Sequence, residues 1–157
     1  MECTTTRIRP SSPEPNKSYL TAIKRKGLSA PMRYLMEEGF IAGSVLDYGC
    51  GRGVDASLIN AERFDPHWFS APLVDKYDTI TCIYVLNVIQ DPCERIDVLH
   101  KLYELLNPNG IAYIAVRRDS FIEGLTSKGT WQGKINLDLP IVVEAKNRFC
   151  IYKLIKE

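Results

Sequence analysis

The sequence predicts a single α/β domain with a mostly parallel sheet that ends in an antiparallel hairpin. Three observations support this. A short apolar strand runs through a glycine-rich turn into a helix over residues 44–60, a capped helix precedes a strand over 91–116, and two strand-like runs at 141–145 and 148–155 close the chain. Strands that alternate with helices indicate parallel pairing, whereas two strands joined by a short turn pair antiparallel.

The composition is that of one soluble globular domain. The chain has 157 residues, of which 45% are hydrophobic and 25% are charged, and its net charge is +1. This suits one domain with one sizeable core. We expect residues 1–18, with three prolines among Ser, Thr and Asn, to form a flexible arm, and residues 19–157 to form the domain. We expect no signal peptide from the polar N-terminus, and no apolar run has the length of a membrane span.

The cysteines and histidines predict a cytoplasmic protein with reduced thiols and no metal site. Five cysteines lack any C-x-x-C pair, and the only two histidines, His67 and His100, are far apart. This pattern indicates reduced thiols in a cytoplasmic protein with no structural zinc. Three cysteines fall in apolar strand patterns and are expected in the core: Cys50, Cys82 and Cys150.

Two helices outside the glycine turn have clear start signals. Ser29 is a predicted N-cap with Pro31 in the first turn, and Asp91 caps a second helix with Pro92 at its first position. Gly39 ends the first of these helices. Apolar residues at helical spacing predict their buried faces: Met32, Leu35 and Met36 in the first, and Ile96, Leu99, Leu102, Tyr103 and Leu106 in the second.

The strands follow from apolar runs bounded by turn residues. We expect them over residues 41–47, 61–65, 79–86 and 111–116, the last after a turn at 107–110. The segment between residues 69 and 76 is too short for a strand followed by a helix. The predicted sheet is therefore trimmed around its third strand.

The glycine turn indicates which kind of ligand the domain binds. Asp47 is followed by Gly49, Gly51 and Gly53, and glycine lets a ligand approach the bare backbone. A dinucleotide fingerprint would need glycine at position 54, which is Val54. The pattern Asp-x-Gly-x-Gly-x-Gly instead resembles motif I of the class I methyltransferases that depend on S-adenosylmethionine (SAM). The resemblance implies a Rossmann-like fold in which the acid and the glycines wrap the methionine half and the ribose of SAM.

A second acid completes the predicted cofactor site. Asp65 ends the second predicted strand at about the offset at which an acid reaches ribose hydroxyls, and a carboxylate can accept from both. An aromatic side chain from Trp68 or Phe69 would cover the adenine, or else both pack in the core. The resemblance implies these cofactor-binding residues: Asp47, Tyr48, Gly49, Cys50, Gly51, Asp65, Pro66 and Asn87.

Several phrases resemble one family more closely. They are Thr21-Ala-Ile-x-Arg25, Leu28-Ser-x-Pro31, the run from Val45 to Gly53, Asp65-Pro-His67, Tyr84-Val-Leu-Asn-Val-Ile89, Glu94-Arg95 and Leu125-Thr-Ser-x-Gly-Thr130. Together they are similar to the putative methyltransferases associated with bacterial DNA phosphorothioation gene clusters. That family has two acidic residues after the glycine turn, whereas here only Asp55 is acidic and the following helix is shorter. The chain therefore looks like a compact relative.

The residues after the fourth strand in family order argue against two DNA chemistries. Methylation of an exocyclic base nitrogen commonly uses Asp/Asn-Pro-Pro-aromatic, but Asn87 is followed by Val and Ile. Cytosine-C5 methylation uses a Pro-Cys nucleophile, but Cys93 comes several residues late, at a helix start. A base-flipping enzyme of these kinds is therefore disfavoured. Asn87, Tyr84 and Arg25 remain the candidates near the transferred methyl, although Tyr84 would also suit the core and Arg25 the surface.

The sequence therefore predicts a SAM-dependent methyltransferase whose acceptor is a small molecule or a nucleic acid. Nucleic acid would contact Lys24, Arg25 and Lys26, which otherwise form a solvated charge run. One alternative is a catalytically silent SAM-binding module that acts through a protein partner. The other is a Rossmann protein that binds NAD or another nucleotide, against which Val54 argues.

Overall fold

A six-stranded sheet forms the centre of the protein. The computed structural model describes residues 18–22, 25–119 and 123–157, so the predicted arm lies outside the described residues except for residue 18. The helices are α1 (Ala30–Glu37), α2 (Val54–Ile59) and α3 (Pro92–Leu105), with 3-10 turns at Ser18–Thr21 and Leu86–Val88. The strands are β1 (Val45–Tyr48), β2 (Glu62–Phe64), β3 (Tyr77–Ile83), β4 (Leu106–Arg117), β5 (Gly124–Leu125), β6 (Trp131–Gln132), β7 (Ile141–Ala145) and β8 (Phe149–Ile155).

The strand order confirms the predicted fold class. The sheet runs β2-β1-β3-β4-β8-β7, and its first four strands are parallel. β8 pairs antiparallel with β4, and β7 pairs antiparallel with β8. β5 and β6 form a separate two-stranded sheet. The fold is therefore a mostly parallel, Rossmann-like sheet with a C-terminal antiparallel hairpin.

Alternating residues of the central strands supply two hydrophobic clusters, one on each face of the sheet. Ile114 and Val116 of β4 belong to the cluster that contains Leu102 of α3. Ala115, between them on β4, belongs to the cluster that contains Met32 of α1. Because successive side chains of a strand point to opposite faces, α1 and α3 cover opposite sides of the sheet.

The predicted helix starts are confirmed, but two predicted core residues are wrong. The Ser29 hydroxyl accepts from the Met32 N–H, and the Asp91 carboxylate accepts from the Cys93 N–H. Met36 is 42% exposed and Tyr103 is 41% exposed. Each follows a fully buried leucine by one residue, which turns it about 100° around the helix and away from the sheet.

Two predicted strand boundaries move because of local backbone turns. β1 begins at Val45 instead of residue 41, since Gly43 has a left-handed φ of +71° and the Ser44 N–H donates to Asp78 at 3.0 Å. β3 ends at Ile83, because the next residue also has a left-handed φ. The chain therefore turns before β1 and again directly after β3.

The predicted turn at residues 107–110 lies inside β4 as an irregularity. The pairing with β3 jumps from Tyr77–Leu106 to Thr79–Ile111. Asn109 takes a φ of +65°, which suits a turn. The residues that form this turn were thus predicted, but β4 is present both before and after the turn.

The trimmed region has the predicted form. The described residues 70–76 contain no strand, and β2 has three residues and α2 six.

In the described part of the chain, no helix is long and apolar enough to cross a membrane. No group of three or more His, Cys, Asp or Glu side chains among those residues could hold a metal ion.

The cysteines differ in part from expectation. Cys82 and Cys150 are buried in the core, as predicted, whereas Cys50 is only half-buried. Cys93 is disulfide-bonded, so the prediction of reduced thiols throughout is wrong at this residue. Spacing along the chain carries no information on this pairing, which depends on tertiary contact.

Candidate active site

A cavity of about 680 Å³ lies at the carboxyl ends of the parallel strands. Its walls are the glycine turn after β1, the residues after β2 and β3, and the segment that precedes α1. Open α/β sheets bind ligands at this edge, where the strands end and the loops diverge. The fold therefore places one concave site beside the glycine turn.

The cavity brings the predicted site residues together. All eight predicted cofactor-binding residues line it: Asp47, Tyr48, Gly49, Cys50, Gly51, Asp65, Pro66 and Asn87. The methyl-end candidates Tyr84 and Arg25 line it as well. Lys26 is exposed and is not among the lining residues, and Lys24 lies outside the described residues.

Asp47 is a buried carboxyl group whose pKa lies close to neutral pH. It is 3% exposed, and its Oδ1 accepts from the Thr81 hydroxyl at 2.9 Å. Burial raises the pKa of Asp47 to about 7, and repulsion from Asp55 and Asp65 adds to this effect. A cationic group in the cavity would favour the ionised carboxylate.

Asp65 holds the glycine turn against its own loop. Its Oδ2 accepts from the Gly51 N–H at 2.9 Å, and its Oδ1 accepts from the His67 and Trp68 N–H groups at 2.9 and 3.0 Å. A carboxylate has about four acceptor positions, so about one remains for a ligand. The sequence predicted a carboxylate free for two ribose hydroxyls, and these three backbone bonds were not foreseen.

Positive φ values and close contacts favour glycine at two positions of the turn. Gly49 has a φ of +76°, and a Cβ there would lie 2.3 Å from the Val85 side chain. Gly51 has a φ of +56°, and a Cβ there would lie 3.2 Å from Ala22 of the N-terminal segment. The turn is therefore enclosed between the loop after β3 and the segment before α1.

The aromatic pair after β2 does not line the cavity. Phe69 forms a bridge back to Asp65, and its ring lies 4.6 Å from the Arg63 guanidinium. Trp68 stacks with Arg52 at 4.8 Å. Because both rings are engaged with arginines beside the loop, the structure does not place either as the predicted adenine cover.

Cys50 is a protonated thiol in the wall of the cavity. Burial raises the pKa of Cys50 to about 12, and the Asp47 carboxyl adds to the shift. A thiol in this state is a poor nucleophile at neutral pH. Cys50 therefore contributes shape and not covalent chemistry.

Tyr84 lines the cavity and has an unusual backbone conformation. Its φ is +59°, and its N–H donates to the Ala115 carbonyl at 2.9 Å. The Arg25 guanidinium lies 5.9 Å from its ring. Burial raises the pKa of Tyr84, so its hydroxyl is protonated at neutral pH. Arg117, also in the wall, is paired with Asp119 through two hydrogen bonds.

Asn87 is braced by residues that sequence reasoning missed. Its side-chain Nδ2 donates to Gln132 Oε1 at 3.1 Å, and its backbone carbonyl accepts from the Gly133 N–H at 2.9 Å. Gln132 belongs to β6 and lines the cavity. The phrase Leu125–Thr130, which precedes β6, was the available signal that this region matters.

The comparisons with known proteins agree with this architecture. The family described as methyltransferase domain matches residues 19–138. No curated protein matches the sequence.

Solved structures with a similar fold include the following three. The 1,6-didemethyltoxoflavin-N1-methyltransferase of Burkholderia thailandensis, solved with S-adenosylhomocysteine (SAH), has a TM-score of 0.56 at 17% identity and covers 90% of this chain and 79% of its own. N-methyltransferase NodS of Bradyrhizobium japonicum, also with SAH, scores 0.52 at 11%, covering 80% and 85%. TehB of Haemophilus influenzae scores 0.53 at 14%, covering 85% and 64%.

The family match covers more than half of the chain, and it includes the glycine turn and the four parallel strands of the sheet. The chain belongs to the methyltransferase domain family and has a class I methyltransferase fold.

Proposed function

We propose that this methyltransferase binds SAM in the cavity beside the glycine turn and transfers its methyl group to a small molecule or a nucleic acid. The observation that supports this most is the convergence of all eight predicted cofactor residues on one cavity. SAM supplies an electrophilic methyl on a cationic sulfonium, so the protein has mainly to bind, align and exclude water. A strong cofactor site with few titratable catalytic groups is what such chemistry needs.

The donor and acceptor groups of the cavity fit this ligand. Its volume of about 680 Å³ is in the range of small-molecule sites. Asp47 and Asp65 supply carboxylate oxygens for a cationic group and a hydroxyl, while the glycines leave backbone exposed for close approach. Asp47, with its pKa near 7, would ionise fully in contact with a cation.

We further propose that the chain is a compact relative of the putative methyltransferases associated with DNA phosphorothioation gene clusters. The similar phrase Leu125–Thr130 forms the β5–β6 turn, in which the Thr126 N–H donates to the Thr130 carbonyl at 2.6 Å. This turn leads directly to Gln132 in the cavity wall. A nucleic acid acceptor would meet Arg25 in the cavity wall and the exposed Lys26.

The experiment that tests cofactor binding is calorimetric titration with SAH. Wild-type protein should bind SAH at micromolar concentration, and Asp65→Ala should weaken binding at least tenfold, about 1.4 kcal/mol. Asp138→Ala, which removes an exposed carboxylate outside the cavity wall, is the matched control and should bind like wild type. Absence of SAH binding to folded wild-type protein would overturn the proposal.

The short helix α2 favours one second candidate, a silent SAM-binding module that acts through a protein partner. α2 has six residues, and its N-cap Gly53 provides no side-chain cap, so the helix that follows the cofactor turn is short and uncapped. Release of SAH from SAM in the presence of small amines or oligonucleotides distinguishes the two functions. Turnover with any acceptor establishes the enzyme, whereas tight binding without turnover across both classes favours the module.

A further inference from the structure

Asn87 carries a buried hydrogen-bond acceptor that has no donor. The residue is 1% exposed, and its Oδ1 has no partner in the described part of the chain. A buried polar atom left unpaired costs about 1–3 kcal/mol. Native proteins rarely leave such a group unpaired without a functional reason. Asn87 lines the cavity, so a ligand is the natural source of the missing donor.

The amide of Asn87 is held in place from two sides. Its Nδ2 is engaged by Gln132, and its backbone carbonyl is engaged by Gly133. Its neighbours in the wall, Val85, Val88 and Ile89, have apolar side chains that offer no donor. The oxygen is therefore held in a buried position, where a hydrogen bond from a ligand is little weakened by competing water.

We propose that Asn87 Oδ1 accepts a hydrogen bond from an N–H of the methyl acceptor, which makes that acceptor a nitrogen nucleophile. This inference rests on the proposed SAM-dependent function. On transfer the nitrogen lone pair forms the N–C bond, the electron pair of the S–C bond stays on sulfur, and the proton lost by nitrogen passes to water. Asn87 thus orients the nitrogen lone pair towards the methyl without removing a proton.

A hydroxyl acceptor fits this position less well. An alcohol is a weak nucleophile until a base takes its proton, and an amide oxygen is not such a base. A neutral amine already has a free lone pair while one of its N–H bonds is held. The amide of Asn87 therefore suits nitrogen and not oxygen methylation.

The test uses sinefungin, a SAM analogue that carries an amino group in place of the transferred methyl. Calorimetry measures the ratio of the SAH and sinefungin dissociation constants for wild type, Asn87→Leu and Asn87→Asp. Leucine removes the oxygen at similar volume, whereas aspartate keeps an acceptor. We expect Asn87→Leu to lower the preference for sinefungin about tenfold or more and Asn87→Asp to retain it.

Two controls keep the result interpretable. Asn107→Leu makes the same chemical change at an amide that bonds Asp78 away from the cavity, and it should leave the ratio unchanged. Asn87→Ala replaces Asn87→Leu if the leucine variant does not fold in a thermal unfolding scan.

Each other outcome overturns the inference. An unchanged ratio in Asn87→Leu means that no N–H meets Oδ1. Equal weakening of both ligands means that Asn87 binds a part common to them. Loss of the preference in Asn87→Asp as well means that Nδ2 faces the ligand. If folded wild type does not bind SAH, the proposed function fails together with the inference, whereas SAH binding with any of the first three results leaves that function standing.

Discussion

The carboxylate of Asp55 accepts two hydrogen bonds from Ser29, one from its backbone N–H at 2.8 Å and one from its hydroxyl at 2.6 Å. Ser29 is the N-cap of α1, and Asp55 lies in the first turn of α2. Two helix starts that are 26 residues apart in the chain are thereby joined beside the cavity. The pair ties the N-terminal segment to the helix that follows the glycine turn.

This pair predicts strong energetic coupling. Ser29→Ala should lower the free energy of unfolding by about 1 kcal/mol as a lost cap, and Asp55→Ala should lower it by about 1–3 kcal/mol. The double variant should lose less than the sum, with a coupling of at least about 0.5 kcal/mol. Urea unfolding measures all three. Ser29→Ala combined with Asp91→Ala, the N-cap of α3, is the control and should be additive.

Alanine substitutions at Gly49 and Gly129 distinguish the cost of steric contact from the cost of backbone strain. Both have left-handed φ values, +76° and +75°, but a Cβ at Gly49 would meet Val85 at 2.3 Å, while nothing lies within 4 Å at Gly129. Alanine costs about 1–2 kcal/mol at either position from backbone strain. Gly49→Ala should therefore lower the melting temperature more than Gly129→Ala, and it alone should weaken SAH binding. Equal effects on stability would show that Val85 moves aside freely.

Asp47 predicts a pH dependence of stability. Its pKa is about 7 in the folded protein against about 4 when unfolded. The folded state therefore holds this proton more tightly, so the contribution of Asp47 is fully present below about pH 4 and is lost as the pH rises through 7.

Asp47→Asn should remove this part of the pH dependence. Urea unfolding of the ligand-free protein between pH 4.5 and 8 should show the stability of wild type relative to Asp47→Asn falling by a few kcal/mol as the pH rises. Parallel curves for the two proteins would mean that Asp47 is already ionised at low pH. Asn at this position still offers an oxygen to the Thr81 hydroxyl, so the comparison isolates the charge.

Adjacent arginines at the end of β4 should differ in their effect on stability. Arg118 is buried, and it donates to the Ile135 carbonyl at 2.8 Å and to the Tyr152 hydroxyl at 3.0 Å. Arg117 forms a partly exposed pair with Asp119. Arg118→Met should cost about 1–3 kcal/mol for each buried group left unpaired, whereas Arg117→Met should cost less than about 1 kcal/mol. Similar losses in chemical denaturation would contradict this assignment.

Local signals were sufficient to predict much of the fold. The caps Ser29 and Asp91 each have a side-chain oxygen placed next to the N–H groups it accepts from, so a few residues determine the helix start. The glycine turn is likewise encoded by neighbouring residues, and its position between β1 and α2 was predicted. The closing hairpin follows from two apolar runs and a short turn.

The parts that sequence could not predict depend on contacts between distant residues. Ser29 and Asp55, or Asn87 and Gln132, meet only because the folded sheet brings their loops together. The use of Asp65 to hold Gly51 is of the same kind. Sequence reasoning therefore found which residues surround the cavity, but not how those residues hold one another.

The backbone conformation of Tyr84 lowers the stability of the fold but positions its ring beside Arg25. A bulky residue with a left-handed φ costs about 1–3 kcal/mol, which is a considerable share of the 5–15 kcal/mol that keeps a domain folded. Asparagine or glycine would adopt the same backbone more easily. Laboratory evolution towards heat resistance should therefore replace Tyr84 early, and the surviving proteins would lose the ring that Arg25 lies over in the cavity wall.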